Sequence, residues 1–231
     1  MIQTNSIDPS RAAVDLITAD GESAKLTNTA TGHITSFATA IQGDAGAETI
    51  INHGEVVGDV LLGGGNDSFD GRGGSILGLI STEDGDDWVR GGGSNNDIDG
   101  GRGDDNLAGN AGEDTIRGGR GRDILFGGED NDMFVYANVL DSQPGGAKRD
   151  VIRDFVHVVD QIDLSLVDAD ETTGGNQDFT FIGSDPFSAP GQVRYDSATG
   201  ILSMNTDADL TAEMQITLAG KPVITAVDLI L

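Results

Sequence analysis

Aspartate and glycine recur at fixed positions of a nine-residue repeat that runs without a gap from Thr82 to Val135. Asp stands sixth in five of the six units, Gly prevails at the first, second and fourth positions, and the eighth residue is always apolar. The units read TEDGDDWVR, GGGSNNDID, GGRGDDNLA, GNAGEDTIR, GGRGRDILF and GGEDNDMFV, and an isolated copy, LGGGNDSFD, occupies residues 62–70. A flexible Gly/Asp-rich linker would not keep this period together with an apolar eighth residue.

This combination of residues predicts a site for a hard cation. Glycine adopts left-handed backbone angles, so the first six residues of a unit can form a tight loop whose carbonyl groups turn inward. The sixth residue adds a carboxylate. Carbonyl and carboxylate oxygens in a site with six to eight ligands favour calcium over zinc or copper. The predicted metal-binding residues are Asp67, Gly85, Asp87, Asn96, Gly101, Gly103, Asp105, Gly112, Asp114, Gly119, Gly121, Asp123, Asp130, Asp132, Asp150 and Asp154.

Short strands must position these loops. The last three residues of each unit predict a strand whose apolar eighth residue points inward, so two units make a coil of 18 residues, and the coils stack as a parallel β-roll. One inner face is predicted to carry Val89, Leu107 and Leu125, and the other Ile98, Ile116 and Phe134. Neither set could be buried by a single coil, so the repeats stabilise each other only as a stack.

Stacking brings acidic side chains together between successive coils. The expected pairs are Asp87/Asp105 and Asp105/Asp123 on one edge, and Asn96/Asp114 and Asp114/Asp132 on the other. Neighbouring strands lie about 5 Å apart, so without a cation these carboxylates would repel each other. Asp132 is expected to end its edge of the uninterrupted repeat.

These units resemble the RTX family of secreted calcium-binding repeats, and two of them, GGRGDDNLA and GGRGRDILF, fit its pattern throughout. The resemblance implies several Ca2+ ions in an all-β fold: a right-handed parallel β-helix and β-roll solenoid, followed by a β-rich capping and secretion domain. The departures are Thr82, Glu83, Ser94, Asn96, Asn110 and Asp130. Asn96 lacks a charge and predicts a weaker site, while Thr82 and Glu83 leave the geometry of the first loop open.

A looser repeat precedes the nonapeptides, with units that begin at Gly32, Gly54 and Gly74. Each has an alternating apolar stretch and a Gly/Asp turn, which predicts half-buried strands. Coils of 20–22 residues would continue the same stack, and ordinary hairpins are the alternative. The first 30 residues are expected to cap the open end of the solenoid.

The segment after about Tyr136 has less glycine and longer apolar alternation. Residues 150–170, together with FTFIG, GQVRYD and ILSMNTDAD, resemble the region that follows the β-roll in serralysin-type secreted metalloproteases. Val158 stands where that family usually has Gly, which leaves this turn open. Asp228–Leu231 is similar to the family's export signal for type I secretion, although the same residues could simply finish a buried strand. The predicted domains are 1–61 (cap and β-helix coils), 62–136 (β-roll) and 137–231 (C-terminal β domain).

Composition limits the possible functions. The chain has 39 acidic and 13 basic residues, a formal charge of −26, which argues against nucleic-acid binding and suits bound cations. It has no cysteine and no apolar run near the ~20 residues of a membrane span. The N-terminal sequence lacks a basic segment followed by an apolar core, so we expect secretion without a cleaved signal.

Catalytic motifs are absent from the sequence. The three histidines, His33, His53 and His157, form no HExxH motif, and no G-x-S-x-G motif occurs. We therefore expect no enzyme activity and a non-catalytic secreted calcium-binding module that folds after type I export. A calcium-dependent module that binds polysaccharide or a cell surface is the alternative, and a remnant of a serralysin-like protease comes third.

Overall fold

The computed structural model describes residues 13–16 and 23–231. Short β-strands dominate this part of the chain, and a 3-10 turn spans Ala226–Asp228. The strands are β1 Val14–Asp15, β2 Ala24–Asn28, β3 His33–Gln42, β4 Glu48–Asn52, β5 Glu55–Leu61, β6 Ser68–Asp70, β7 Ser75–Leu77, β8 Leu79–Ser81, β9 Trp88–Arg90, β10 Asp97–Arg102, β11 Asn106–Ala111, β12 Thr115–Arg120, β13 Ile124–Glu129, β14 Met133–Val135, β15 Asp150–Ile152, β16 Gln161–Asp163, β17 Thr180–Phe181, β18 Gln192–Asp196, β19 Ile201–Asn205, β20 Met214–Leu218 and β21 Leu229–Ile230.

Successive strands alternate between two sheets, so the chain winds as a solenoid. The first sheet has the order β1-β3-β5-β8-β10-β12-β14-β16-β21, with β7 paired to β5. The second has the order β17-β18-β19-β20-β15-β13-β11-β9-β6-β4-β2. From β2 to β16 every pairing is parallel, which confirms the predicted all-β solenoid.

The core consists of two apolar rows that face each other between the sheets. Val89, Leu107 and Leu125 are in register across β9, β11 and β13. Ile98, Ile116 and Phe134 are in register across β10, β12 and β14. All six side chains are at most 1% exposed, so the predicted inward faces are confirmed. Each apolar residue contacts its equivalents in the coils above and below, because a single coil is too thin to bury it.

The looser N-terminal repeat forms coils of the same stack. Strand β3 pairs in parallel with β5, and β5 pairs in parallel with β8, so the hairpin alternative is wrong. Val56, Val60 and Ile80 are fully buried and prolong the apolar rows. The predicted cap falls partly on residues 1–12 and 17–22, which lie outside the described residues. Strands β1 and β2 extend the two sheets by one further rung.

The C-terminal region continues both sheets before its topology changes. Strands β15 and β16 add a parallel coil, after which β18, β19 and β20 form an antiparallel meander on the second sheet. Strand β21 pairs with β16 as the last rung of the first sheet. The sheets thus pass through both predicted domain boundaries, and the threefold division stays a prediction about repeat type. No helix in the described ranges is long and apolar enough to cross a membrane.

Candidate metal centre

The loops at the edges of the roll have left-handed backbone at the second and fourth positions of every uninterrupted unit except 91–99, where Gly92 and Ser94 do not adopt it. All six glycines predicted to help bind metal have φ between +93° and +145°. Glu83 (φ 67°), Asn110 (84°) and Asp130 (75°) adopt the same conformation without being glycine. The first loop therefore keeps the common geometry although Glu83 replaces Gly. Such angles are costly for residues with a Cβ, so the surrounding stack must hold them in place.

One edge of the roll carries a continuous series of acidic residues, here named the long row. Its members are Glu48, Asp67, Asp87, Asp105, Asp123 and Asp150, each in the next coil along the stack. The backbone N–H of each member donates to one carboxylate oxygen of the next member, at distances from 2.7 to 2.9 Å. These hydrogen bonds fix one oxygen of every carboxylate from Asp67 onwards.

The opposite edge carries the short row, which consists of Asn96, Asp114, Asp132 and Asp160. The same backbone-to-carboxylate bonds join its members, at 2.7, 3.1 and 3.2 Å. Asp132 is the last member of this row within the uninterrupted repeat, and the row continues beyond the repeat to Asp160 in the next coil. Asp160 is the last member of the row, and both of its carboxylate oxygens accept hydrogen bonds. Its second oxygen accepts the N–H of Val156 at 2.7 Å.

The second carboxylate oxygen of the row aspartates is buried and unpaired, which suggests that a cation binds there. Oδ2 of Asp67, Asp87, Asp105, Asp114, Asp123, Asp132 and Asp150 is buried without a hydrogen-bond partner. These residues are at most 3% exposed. Burying a carboxylate oxygen without a hydrogen-bond partner costs much free energy, and such an oxygen occurs in coil after coil along both rows. The donor set is composed of carboxylate and backbone oxygens, which fits calcium.

Glycine at the first position of a unit makes room for this second oxygen. A Cβ placed on Gly100 would overlap Asp105 Oδ2, and a Cβ on Gly118 would overlap Asp123 Oδ2. Gly109 and Gly127 stand in the same relation to Asp114 and Asp132. These four loops fold closely around their own carboxylates and leave no space for a larger first residue, whereas Leu62 and Thr82 occupy the first position before Asp67 and Asp87.

Burial and like charge make ionisation of these carboxyls difficult without a cation. Burial, together with the neighbouring row carboxylates, raises the pKa of Asp105 to about 8. The same causes raise the pKa of Asp114 to about 7 and that of Asp132 to about 6. The pKa values of Asp123 and Asp150 are raised as well, chiefly by burial. In each case the backbone N–H bond opposes the shift but does not cancel it.

The remaining predicted residues have distinct places. Asn96 accepts the N–H of Gly92 at 2.8 Å and leaves its amide nitrogen buried without a partner. Asp130 is exposed at the fourth loop position, and its charge helps to raise the pKa values of Asp114 and Asp132 in the short row. Asp154 is half-buried and accepts the N–H of Gly127 at 3.0 Å, beside the short row. The sequence prediction missed Glu48 and Asp160, because one is a glutamate and the other follows an insertion of several residues.

A separate acidic group lies in the loop between β19 and β20. Carboxylate oxygens of Asp207, Asp209 and Glu213 lie within 4.8 Å of one another. Asp207 accepts the N–H of Asp209 at 2.8 Å, and Asp209 accepts the N–H of Thr211 at 2.8 Å. These carboxylates are partly or fully exposed, unlike those of the rows. Their contacts are those of a tight turn.

The family of the chain follows from a family model. Residues 43–231, more than half of the chain, match the model described as Peptidase M10 serralysin C terminal. The chain belongs to this family. The matched model describes the C-terminal region of these peptidases, and RTX-type calcium-binding modules are what the family suggests.

Solved structures with a similar fold come from an enzyme of another class. The R3 subunit of the AlgE6 mannuronan C5-epimerase of Azotobacter vinelandii has 28% identity and a TM-score of 0.44, over 62% of this chain and 77% of that one. The R2 subunit of the same epimerase has 24% identity and a TM-score of 0.44, over 66% of this chain and 91% of that one. No curated protein matches the chain.

Proposed function

We propose that this protein is a non-catalytic extracellular module that binds several calcium ions and folds when it binds them. The carboxylates from Asp67 to Asp150 and from Asp114 to Asp132 would hold the ions, with backbone oxygens of the loops around them. The observation that supports this most directly is the buried, unpaired Oδ2 atom at each coil. Family membership supports the same ion.

Calcium would act here as a structural component. It would neutralise carboxylates that the stack forces together, and its binding to the folded form alone would shift the folding equilibrium by mass action. Extracellular calcium modules bind with Kd values of roughly 10⁻⁴ to 10⁻³ M, so such sites are filled outside a cell and largely empty in a cytosol. The formal charge of −26 would keep the unfolded chain expanded until calcium is present.

Circular dichroism during a calcium titration tests this function. We expect β-sheet content and protease resistance of the purified chain to rise cooperatively as calcium reaches the millimolar range. Magnesium at the same concentration should have little effect, because it demands near-octahedral geometry and keeps its waters. Equal β content in excess chelator and in calcium would refute the proposal.

Export by a type I secretion system is the finer part of the proposal, and it rests on the resemblance of Asp228–Leu231 to the family's export signal. These residues also have a role in the fold. Asp228 is fully buried and accepts N–H groups of Val158 and Thr225 at 2.8 and 2.7 Å. Deleting the four residues should therefore stop secretion and also loosen the last rung. Normal secretion of the truncated chain would show that Asp228–Leu231 is not an export signal.

Two variants separate these effects. Asp228→Ala removes the hydrogen bonds of the fold together with the acidic residue of the signal, whereas Asp163→Ala changes an acidic residue on the adjacent strand β16. If export requires the signal, only Asp228→Ala should reduce secretion while calcium titration still folds both proteins. Equal secretion of both would count against the signal.

A polysaccharide-binding role lacks support from the aromatic residues that could stack on sugars. Tyr136 and Tyr195 are buried, and the guanidinium of Arg90 lies 4.6 Å from the centre of the Trp88 ring. Phe37 and Phe126 are exposed, but they lie on strands of different sheets and do not form a row together. We therefore retain the calcium-dependent structural role as the proposal.

A further inference from the structure

We propose that the calcium row begins one coil before the recognisable repeats, at a site between the loop 43–48 and the loop 62–67, with Glu48 and Asp67 as its carboxylate ligands. This inference rests on the proposed function and extends it to a residue type and a coil that the nonapeptide pattern does not include.

The state of Glu48 motivates the assignment. Its side chain is 1% exposed, and both of its carboxylate oxygens are buried without a hydrogen-bond partner. Asp67, which is 2% exposed, likewise has an unpaired Oδ2 atom. The N–H of Glu48 donates to Asp67 Oδ1 at 2.7 Å, so the two residues occupy adjacent coils of the long row. Two fully buried acidic groups with unpaired oxygens at one place require a cation or protons.

The backbone of this coil continues the inter-coil hydrogen bonds of the nonapeptide loops, although Asp44 and Gly46 at its second and fourth positions lack their left-handed angles. Each third-position N–H donates to the second-position carbonyl of the preceding coil: Arg102 to Glu83 at 2.6 Å, Asp84 to Gly63 at 2.9 Å, and Gly64 to Asp44 at 2.7 Å. Asp44 therefore stands at the second position of a loop that begins at Gly43. The stack shows no change of register between this loop and the later ones.

The glycine that makes room for the carboxylate is also present. A Cβ on Gly43 would lie 2.8 Å from Glu48 Oε2, as a Cβ on Gly100 would overlap Asp105 Oδ2. Gly46 stands at the fourth position, and its carbonyl oxygen abuts Gly65 as that of Gly85 abuts Gly103. Residues 43–51, GDAGAETII, thus form a unit with Gly first and fourth, an acidic sixth residue and a buried Ile50 eighth.

The chemistry of the site suits calcium. Glu48 and Asp67 supply carboxylate oxygens, and loops of this kind expose backbone carbonyls around them. Asp44 adds a further negative charge close to Glu48. Glutamate offers the same carboxylate oxygens as aspartate, and the spacing between row members varies in this part of the stack: 19 residues from Glu48 to Asp67, 20 to Asp87 and 18 to Asp105. Oxygen-only ligation with variable reach is typical of calcium sites.

Calcium stoichiometry of the whole chain tests the proposal. Calcium bound per chain would be measured by isothermal titration calorimetry and by atomic absorption after equilibrium dialysis. We expect Glu48→Gln to bind one ion fewer than the unaltered protein, and Glu48→Asp to bind the same number. Glu171→Gln is the matched control, because it removes the same charge from an exposed position. Circular dichroism in excess calcium would establish that all variants are folded.

Local protection supplies a second readout. Hydrogen exchange of the amides of residues 44–51 should slow on calcium addition in the unaltered protein and in Glu48→Asp, but much less in Glu48→Gln. An unchanged number of ions in Glu48→Gln would overturn the site, as would the loss of one ion from both Glu48 variants, which would indicate packing instead of ligation. Failure of the unaltered chain to bind calcium would instead refute the proposed function as a whole.

Discussion

Acidification should fold the calcium-free roll, because protons can replace calcium on the row carboxyls. Burial raises the pKa of Asp105 to about 8 and those of Asp67 and Asp114 to about 7, whereas an unfolded chain has Asp values near 3.9. In the folded state these groups hold protons that the unfolded state has released. Stability is then complete below about pH 4 and is lost as pH rises through 7 to 8.

The expected change in the free energy of unfolding with pH is large compared with the total stability of a domain. One such carboxyl loses roughly 1.4 kcal/mol of stabilisation per pH unit, or about 4 kcal/mol between pH 4 and pH 7. Two or three of them therefore match the 5–15 kcal/mol of an ordinary folded domain. We expect the calcium-free chain to be folded near pH 4–5, largely unfolded near pH 8, and refolded at pH 8 by calcium.

The assay is circular dichroism and thermal melting of resin-depleted protein from pH 4 to 8, with residual calcium measured, because chelators weaken in acid. Asp105→Asn keeps the acceptor oxygen and removes the charge, so it should raise stability at pH 8 without calcium and lower it with calcium. The exposed Asp185→Asn serves as control. β content that stays constant with pH, or that falls on acidification, would refute the reasoning.

Three other predictions concern single residues. Asn96→Asp should tighten calcium binding at the short row several-fold and destabilise the calcium-free roll, as measured by calorimetry against the exposed Asn95→Asp; equal affinities would contradict it. Val158→Gly should stabilise the chain by about 1 kcal/mol in urea unfolding, because Val158 has φ +67°, whereas Val156→Gly should not. Asp228→Ala should cost about 1–3 kcal/mol in the same assay, because it leaves buried N–H groups unpaired; a cost near zero would mean that water replaces the carboxylate.

The nonapeptide period was sufficient to predict the stack and its inner faces. Position in a strict repeat determines which side chains meet, so the sequence alone assigns Val89, Leu107 and Leu125 to one face. The looser repeat left hairpins open, because alternation alone does not tell whether a strand pairs with its neighbour in sequence or with the next coil. The parallel pairing of β3, β5 and β8 resolves this.

Parts of the site could not be predicted for a related reason. Asp160 lies 28 residues after Asp132, and Asp150 lies 27 after Asp123, so both coils contain an insertion that hides the period of 18. The predicted metal-binding residues included Asp150 and Asp154, but only the stack identifies Asp160 as the end of the short row. The sequence prediction missed Glu48 because the nonapeptide pattern has Asp at the sixth position, whereas the structure requires only a carboxylate that reaches the row.

The residues that depart from the pattern show that its glycines can be replaced at several positions. Glu83, Asn110, Asp130 and Val158 all adopt the left-handed angles for which glycine is preferred. Their loops keep the common geometry because hydrogen bonds to the coils on either side over-determine it, as with the N–H of Arg102 bonded to Glu83. At the first position, Gly100, Gly109, Gly118 and Gly127 lie where a Cβ would strike the unpaired oxygen of the row Asp in the same unit. The first position is nevertheless Leu62 before Asp67 and Thr82 before Asp87. Stacking can thus override the conformational preference for glycine, and glycine at the first position is needed only in the loops that fold closely against their own carboxylate.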